Sequence, residues 1–327
     1  MRILMLTRFS YSGIMGHVLS LAGKLNSQGC RVAVVVTDCP APLRQAYHDY
    51  CRNKVDLFTE SKETEIHKLI RHYRFHVLHV HSPALIPLAR TIEQNLRLPW
   101  GVTVHNGLLP ARQENLARAA FIITTSTATY RKLNRAGFPA VFIPEGIDLD
   151  EFRPAQKAEL KIAYIAESGG YSEDGCLALL KAAALADLPV DLICAEQFPQ
   201  VRGRFHGWPP STAPVLRQSA VVVGRGRGLL EGMACGNASL ILGPYYGGIL
   251  EAGALGAAAY PDLSGRTGKE PCYREIFFDL SRLIKDGAYL GELQRRSRKY
   301  VLENHDLRLS AELTGKVYRN TGISPSP

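Results

Sequence analysis

The fold is most constrained by an alternation in the first half of the chain, where short apolar runs rich in β-branched residues are separated by helical patterns. The runs are RILMLT, RVAVVVTD, HVLHVHS, WGVTVHN, AFIITTS and AVFIPEG. Between the first two lies GHVLSLAGKLNSQG, whose apolar residues recur at helical spacing before Gly29 closes the segment. Nearly continuous apolar strands joined by helices predict a parallel sheet that is covered on both faces.

The same alternation restarts in the second half, in the runs LKIAYIAE, PVDLICAE, VRGRFHGW, AVVVGRG, ASLILG and AAAYP. The polar segment GIDLDEFRPAQKAE, which contains Pro154, lies between the two series and reads as a linker. We therefore predict two Rossmann-like domains, residues 1–153 and 154–304, with a helix at about 305–322 that packs back on the first. Ligands of such sheets bind at the carboxyl ends of the strands, so we expect those ends to face a central cleft.

Composition limits where the protein works. No apolar run reaches the roughly 20 residues that a membrane span needs, and MRILMLT predicts a strand rather than a signal peptide. The seven cysteines are dispersed and no pair has CxxC spacing. This pattern argues for a reducing compartment and against a disulfide framework or a zinc site. We therefore expect a cytoplasmic protein.

The positive charge is concentrated in the first half. The formal net charge is +9, and residues 1–150 hold 18 Lys and Arg against 11 Asp and Glu. A basic half can meet nucleic acid, an anionic membrane surface or a phosphorylated substrate. Nucleic acid is the least favoured partner, because no basic run is interleaved with aromatic residues and no zinc-finger or RRM-like signature occurs. The charge predicts that the N-terminal half faces either the acceptor or, by peripheral contact, the anionic inner face of a membrane.

The stretch VVVGRGRGLLEGMACG, residues 221–236, combines a buried strand with glycines, two arginines and a carboxylate. Glycines allow close approach of the backbone, and the guanidinium groups of Arg225 and Arg227 suit bidentate contact with phosphate. Glu231 follows in the first turns of the predicted helix. The stretch predicts a site for a phosphorylated ligand, and a solvated surface turn is the alternative.

Gly13 and Gly16 lie between the first strand and its helix, where backbone N–H groups can approach a phosphate. A dinucleotide fingerprint closed by Asp38 is the competing interpretation, but the first glycine of G-x-G-x-x-G is missing. The third interpretation of Gly13 and Gly16 is a tight turn that binds no ligand.

The histidines of the first half lie on or beside predicted strands. His105 ends a strand, where a neutral imidazole can hydrogen-bond a hydroxyl group, or where it is simply a core residue bonded to the backbone. His79 and His81 share one strand face and His76 has the opposite parity, which is poor spacing for a metal within a single strand.

Four stretches together resemble the GT-B glycosyltransferases of family 4, which are retaining and use nucleotide-sugar donors. They are the glycine loop and helix from SGIMGH to VVVTD, the pair HVLHVHSP and WGVTVHN, the segment FIPEGIDLDEFRP, and LLEGMACGNASLIL. The resemblance implies that His105 contacts the donor sugar and that Glu231 accepts hydrogen bonds from the ribose hydroxyls. A helix N-terminal acid is the alternative for Glu231.

The resemblance also implies roles for further residues. YYGGILEAG resembles a glycine turn near the phosphates, which Gly247 and Gly248 fit, and FHGW places Gly207 near the base. His17 falls on the acceptor side, and His81, like His76 and His79, is either an acceptor-side or a structural residue.

Three positions depart from the family pattern. Gly224 stands where a second glutamate usually contacts the donor sugar, Glu167 where an arginine usually binds the pyrophosphate, and Glu173 or Asp174 near the position of the usual lysine. A carboxylate facing a diphosphate is repulsive. Either these acids point away or the donor chemistry is altered. We expect Arg225 and Arg227 to replace the missing arginine and lysine.

The prediction is a glycosyltransferase of polysaccharide or glycoconjugate biosynthesis, with UDP- or GDP-type binding, that moves a sugar to a sugar or lipid-linked acceptor with retention. No cofactor and no metal are expected, because positioning and electrostatic stabilisation of the departing diphosphate can carry the reaction. A catalytically weak nucleotide-sugar-binding partner of another transferase is the second hypothesis, and a GT-B nucleotide-sugar 2-epimerase is the third.

Overall fold

The computed structural model describes residues 1–105, 116–157, 159–167, 173–196, 203–251 and 261–320. The chain divides into two compact α/β units. The first contains Met1–Ser10, Ile14–Gly146 and the segment from Leu307 onward, and the second contains Tyr11–Gly13 and Ile147–Asp306. The chain therefore passes from the first unit to the second after Gly146 and returns after Asp306.

The first unit is built on a seven-stranded sheet in which every pair of neighbours is parallel. Its strands are β1 (Arg2–Arg8), β2 (Arg31–Thr37), β3 (Asp56–Phe58), β4 (Val77–Val80), β5 (Trp100–Val104), β6 (Phe121–Thr124) and β7 (Val141–Phe142). They are arranged in the order β3-β2-β1-β4-β5-β6-β7. The sequence order reverses beside β1, which is the switch point of a Rossmann-like sheet.

Helices cover the first sheet, namely α1 (Gly13–Ser27), α2 (Ala41–Cys51), α3 (Glu63–Tyr73), α4 (Ile86–Leu96) and α5 (Thr127–Arg135). Helix α1 buries Val18, Leu19, Leu21, Ala22 and Leu25, as its sequence spacing predicts. The central strands are buried over most of their length. This burial explains why their sequences are continuously apolar rather than alternating.

The second unit has a six-stranded sheet in the order β10-β9-β8-β11-β12-β13. The strands are β8 (Ile162–Ala166), β9 (Val190–Cys194), β10 (Gly203–Phe205), β11 (Val221–Gly224), β12 (Ala238–Leu242) and β13 (Tyr246–Ile249). The helices are α6 (Glu173–Leu185), α7 (Ala213–Leu216), α8 (Gly226–Ala234), α9 (Tyr273–Lys285) and α10 (Gly287–Asn304). The last helix, α11 (Leu307–Asn320), belongs to the first unit.

The prediction of two parallel-sheet α/β domains is confirmed, with two local differences. The sequence reading omits β3, which is only three residues long. It also takes the segment around Gly247 and Gly248 as a turn. The structure instead has β13 there, an edge strand antiparallel to β12 with a register shift between Ile241 and Leu242. The strand predicted in AAAYP lies almost entirely at 257–260, outside the described residues.

No helix in the described part of the chain is both long and apolar enough to cross a membrane.

Candidate functional site

The segment that joins β11 to α8 is a single residue. Strand β11 ends at Gly224, Arg225 is the extended N-cap residue, and α8 begins at Gly226. Gly226 has a φ of 53°, a left-handed conformation that glycine adopts without strain. Arg227 therefore lies in the first turn of the helix, and only Arg225 lies between the strand and the helix.

Arg227 and Glu231 form a buried ion pair within α8. The Arg227 Nε donates to Glu231 Oε1 at 2.7 Å, and the two residues are 3% and 7% exposed. The other carboxylate oxygen, Oε2, accepts from Thr212 Oγ1 at 2.6 Å. Burial raises the pKa of Glu231, and the neighbouring Arg227 opposes that shift. Both carboxylate oxygens are thus held by protein donors.

Glu167 faces the basic segment and does not point away from it. Its Oε2 lies 3.2 Å from Arg225 Nη2, and its Oε1 accepts from the Gly13 backbone N–H at 2.8 Å. The sequence left open whether this acid points away, and in this structure it faces Arg225 and Gly13. Glu173 and Asp174, in contrast, are exposed in the first turn of α6, where acids favour the helix dipole.

Gly13 is the point at which the glycine loop meets this cluster. A Cβ atom at Gly13 would lie 2.6 Å from Arg227 Cβ and 3.2 Å from Glu167 Oε1. Close approach of the Gly13 backbone to both side chains therefore requires glycine here. Gly16 lies one turn further along α1.

Gly224 occupies a backbone position that does not accept a side chain. Its φ is 151°, and a Cβ atom would lie 2.9 Å from the backbone oxygen of Ile165. The family's second glutamate therefore cannot be restored at this position without moving strand β8.

The remaining predicted residues of the second unit lie on its other strands. Gly207 follows β10 with a φ of 62°, and Trp208 beside it makes an edge-on contact with Tyr11 at 6.0 Å between ring centroids. Gly247 and Gly248 lie in β13, and Gly248 has a φ of 77°. Among the described residues, no contact joins Gly207, Gly247 or Gly248 to Arg225, Arg227, Glu167 or Glu231.

The first unit brings together three predicted residues that are distant in the sequence. His17 of α1, His81 after β4 and His105 after β5 have ring centroids separated by 4.8 to 5.7 Å. All three are buried. Burial and the neighbouring histidines hold the pKa of His81 well below its ordinary value, so this ring is neutral at physiological pH.

His79 lies beside this group on the same face, as its parity with His81 predicts, with a centroid separation of 4.1 Å. Its Nδ1 is 2.6 Å from Tyr318 Oη and its Nε2 is 2.8 Å from Thr103 Oγ1. Both of its ring nitrogens are therefore engaged. His76 is elsewhere, where its Nδ1 accepts from the Arg2 backbone N–H at 3.0 Å.

One contributor is absent from the sequence analysis, and the partner of another could not be predicted. Thr212 holds Glu231 from 19 positions earlier in the chain, and no motif joins the two. The resemblance gives the position of Glu167 and leaves two outcomes open for it. Its partner Arg225 lies 58 residues away, and a pairing at such a distance is not visible in a sequence.

The comparisons with known proteins agree with this fold. Residues 11–151 match the family described as Glycosyltransferase Family 4. This match covers less than half of the chain. Its fold is that of GT-B glycosyltransferases: HepE from Anabaena, crystallised with UDP and glucose, superposes with a TM-score of 0.71 at 13% identity, covering 98% of this chain and 100% of that one.

Two further proteins are similar. The phosphatidyl-myo-inositol mannosyltransferase of Mycobacterium tuberculosis is 25% identical over 49% of this chain and 48% of its own length, so the match spans about half of that relative. A UDP-GlcNAc 2-epimerase from Neisseria meningitidis shares the fold with a TM-score of 0.60 at 13% identity, covering 98% and 100% of the two chains.

Proposed function

We propose that this protein transfers a sugar from a nucleotide diphosphate sugar to an acceptor hydroxyl with retention of configuration. The match of residues 11–151 to glycosyltransferase family 4 and the Arg225–Arg227–Glu231–Glu167 cluster together support this activity. The cluster is the observation that carries the proposal, because it concentrates two guanidinium groups, a glycine N–H and a ribose-type carboxylate acceptor in the second unit.

Glu167 in the proposed site stands where phosphate oxygens of the donor would bind. A carboxylate that accepts from a backbone N–H and pairs with a guanidinium makes the same kinds of contact as a phosphate. Donor binding therefore requires the diphosphate to displace Glu167 from Gly13 and Arg225. The Nε of Arg225 makes no hydrogen bond with any described residue and is a further donor for the phosphate.

The ribose would bind at Glu231. The carboxylate would then accept hydrogen bonds from the ribose hydroxyls in place of the one from Arg227 or the one from Thr212. In the reaction, the acceptor oxygen bonds to the anomeric carbon and the bonding pair of the old C–O bond leaves with the diphosphate. The acceptor's proton passes to that leaving oxygen. Arg225 would stabilise the charge that develops on the diphosphate, and His105 would hydrogen-bond the transferred sugar. Neither role calls for a cofactor.

The acceptor is proposed to be a sugar or lipid-linked molecule, reached by peripheral contact of the basic first half with the anionic inner face of a membrane. The charge of residues 1–150 supports this contact. Binding to anionic vesicles that disappears with added salt is the expected result. Equal binding to neutral and anionic vesicles would contradict it.

The test of the activity is a screen of UDP-, GDP-, ADP- and dTDP-sugars, read as nucleotide release with and without phosphatidylinositol vesicles. We expect one donor to be consumed and the product anomer, read by NMR, to keep the donor's configuration. His105→Ala should lower turnover with little change in the affinity for the free nucleotide. Nucleotide binding without release from any donor would instead support the binding-protein alternative.

That alternative is favoured by one observation. Every described carboxylate of the cluster is already paired with a guanidinium or hydroxyl, so a donor must compete with the protein's own contacts. The epimerase alternative is supported by fold alone, and conversion of a UDP-sugar to its 2-epimer without an acceptor would establish it.

A further inference from the structure

His17, His81 and His105 form a cluster of three imidazoles, called here the histidine cluster. One ring nitrogen of each residue lies within 4.8 Å of those of the other two, and all three residues are buried. They come from α1 and from the residues that follow β4 and β5. Within the described ranges, no other group of His, Cys, Asp and Glu side chains converges in this way.

His81 has no hydrogen-bond partner for either ring nitrogen among the described residues, although it is fully buried. A buried polar group without a partner is costly, and structures rarely retain one that has no use. His79 next to it is fully satisfied by Tyr318 and Thr103. The contrast between the two neighbouring histidines indicates that His81 is kept for a ligand.

The Nδ1 side of the His17 ring faces a carboxylate at ion-pair distance. Its Nδ1 lies 3.6 Å from Glu145 Oε1, and its Nε2 is buried with no partner among the described residues. Histidines that bind metals typically direct the other ring nitrogen to a carboxylate, which fixes the tautomer and raises the basicity of the ligating nitrogen. Glu145 would also offset part of the charge of a bound cation.

The donor set identifies the class of ligand. Neutral imidazoles suit Zn²⁺, Cu²⁺ and Ni²⁺, whereas Mg²⁺ and Ca²⁺ prefer oxygen ligands. With Zn–N bonds of about 2.0 to 2.1 Å, tetrahedral ligands lie roughly 3.4 Å apart, so small side-chain rotations would close the cluster. We propose that His17, His81 and His105 bind one divalent transition-metal ion of the Zn²⁺ type and leave a fourth position open.

This inference goes beyond the proposed function. In the proposed function His105 hydrogen-bonds the transferred sugar. A metal bound to the His105 ring would make the ring unavailable for that contact. We therefore expect Zn²⁺ to inhibit transfer and a chelator to restore it. Metal binding itself is measured without any donor, so its failure is distinguishable from failure of the transferase proposal.

The experiment uses the full chain, stripped with EDTA and then dialysed against ZnCl₂. We expect about one zinc per chain by mass spectrometry of the metal content, and the affinity is read by competition with a chromophoric chelator. His81→Ala and His17→Gln should abolish this site, whereas His48→Ala, on the exposed face of α2, should bind as the parent does. Glu145→Gln should weaken binding about 10- to 100-fold, the usual effect of losing a carboxylate behind a ligand.

The cysteines provide the competing explanation, because Cys30 and Cys272 are partly accessible. Retention of zinc in the Cys30→Ser/Cys272→Ser variant supports the histidine cluster, and loss of zinc in that variant overturns it. If His81→Ala does not fold, the zinc content of His17→Gln alone tests the proposal. Zinc-free parent protein after dialysis, or equal zinc in the parent and His17→Gln, would refute the proposal.

Discussion

Arg227 donates its Nε hydrogen to Glu231 Oε1 across 2.7 Å, one turn apart on helix α8, and both side chains are buried. Breaking such a pair leaves an uncompensated buried charge, which typically costs about 3–5 kcal/mol. We therefore expect Glu231→Met and Arg227→Met each to lower the free energy of unfolding by that order. The double variant should lose less than the sum, as urea titrations can measure. Additive losses would show that the two side chains do not depend on each other.

Removal of Glu167 should strengthen binding of a nucleoside diphosphate. The carboxylate now occupies the Gly13 N–H and pairs with Arg225, so a diphosphate must displace it and is repelled by it. We expect Glu167→Gln to bind UDP or GDP more tightly than the parent by calorimetry, with a smaller change for the nucleoside. Glu173→Gln, an exposed acid at the start of α6, is the matched control. Weaker diphosphate binding in Glu167→Gln would mean that the carboxylate is part of the donor site.

Arg225 should contribute to diphosphate affinity more than to nucleoside affinity. Its guanidinium is the more accessible of the two, because its side chain is 18% exposed whereas that of Arg227 is 2% exposed. Arg225→Ala should cost about 1.5–3 kcal/mol of binding free energy for the diphosphate, an intermediate amount for the monophosphate and little for the nucleoside. Arg225→Lys should restore part of the loss, because lysine lacks the fork. If Arg225→Ala leaves the affinities for diphosphate, monophosphate and nucleoside unchanged, Arg225 belongs to a solvated surface turn and does not contact the ligand.

The sequence predicts the two sheets well and the side-chain pairing poorly, for a physical reason. Strands such as β1 and β11 are continuously buried, so their composition alone reveals them. The short strand β3 and the glycine-bearing edge strand β13 lack that signal, because an edge strand is held by its neighbour more than by burial.

The site residues show the same division. Gly13, Arg225 and Glu231 are recognisable because each lies in a local motif. The contact of Thr212 with Glu231 and the meeting of His17 with His81 and His105 depend on tertiary packing. The dispersed histidines argued against a metal within one strand, but they could not show that three separate elements converge.

Gly224 should not tolerate the glutamate that the family usually has at this position. With a φ of 151° and a Cβ position 2.9 Å from the Ile165 oxygen, even Gly224→Ala should lose about 1–3 kcal/mol of unfolding free energy. Gly224→Glu should lose at least as much and gain no activity. Gly291→Ala, in open space on helix α10, should be neutral or slightly stabilising. A stable Gly224→Glu variant with raised turnover would contradict this account and show that strand β8 can move.

Lys157 should make stability depend on pH in the alkaline range. Its ammonium donates to the Gly236 carbonyl at 2.7 Å and to Asn237 Oδ1 at 2.9 Å, and burial lowers its pKa from 10.5 to about 8. Between pH 8 and pH 10.5 the unfolded chain binds more protons at Lys157 than the folded chain does. In this range the contribution of Lys157 to the free energy of unfolding therefore increases as the pH rises. The slope is about 1 kcal/mol per pH unit at most.

Urea titrations of the parent and Lys157→Met from pH 7.5 to 9.5 should show that the difference in unfolding free energy between them grows in favour of the parent as pH rises. Lys285→Met, which removes an exposed lysine of helix α9, should run parallel to the parent. A constant difference between the parent and Lys157→Met would mean that the two carbonyl contacts keep Lys157 charged throughout this range.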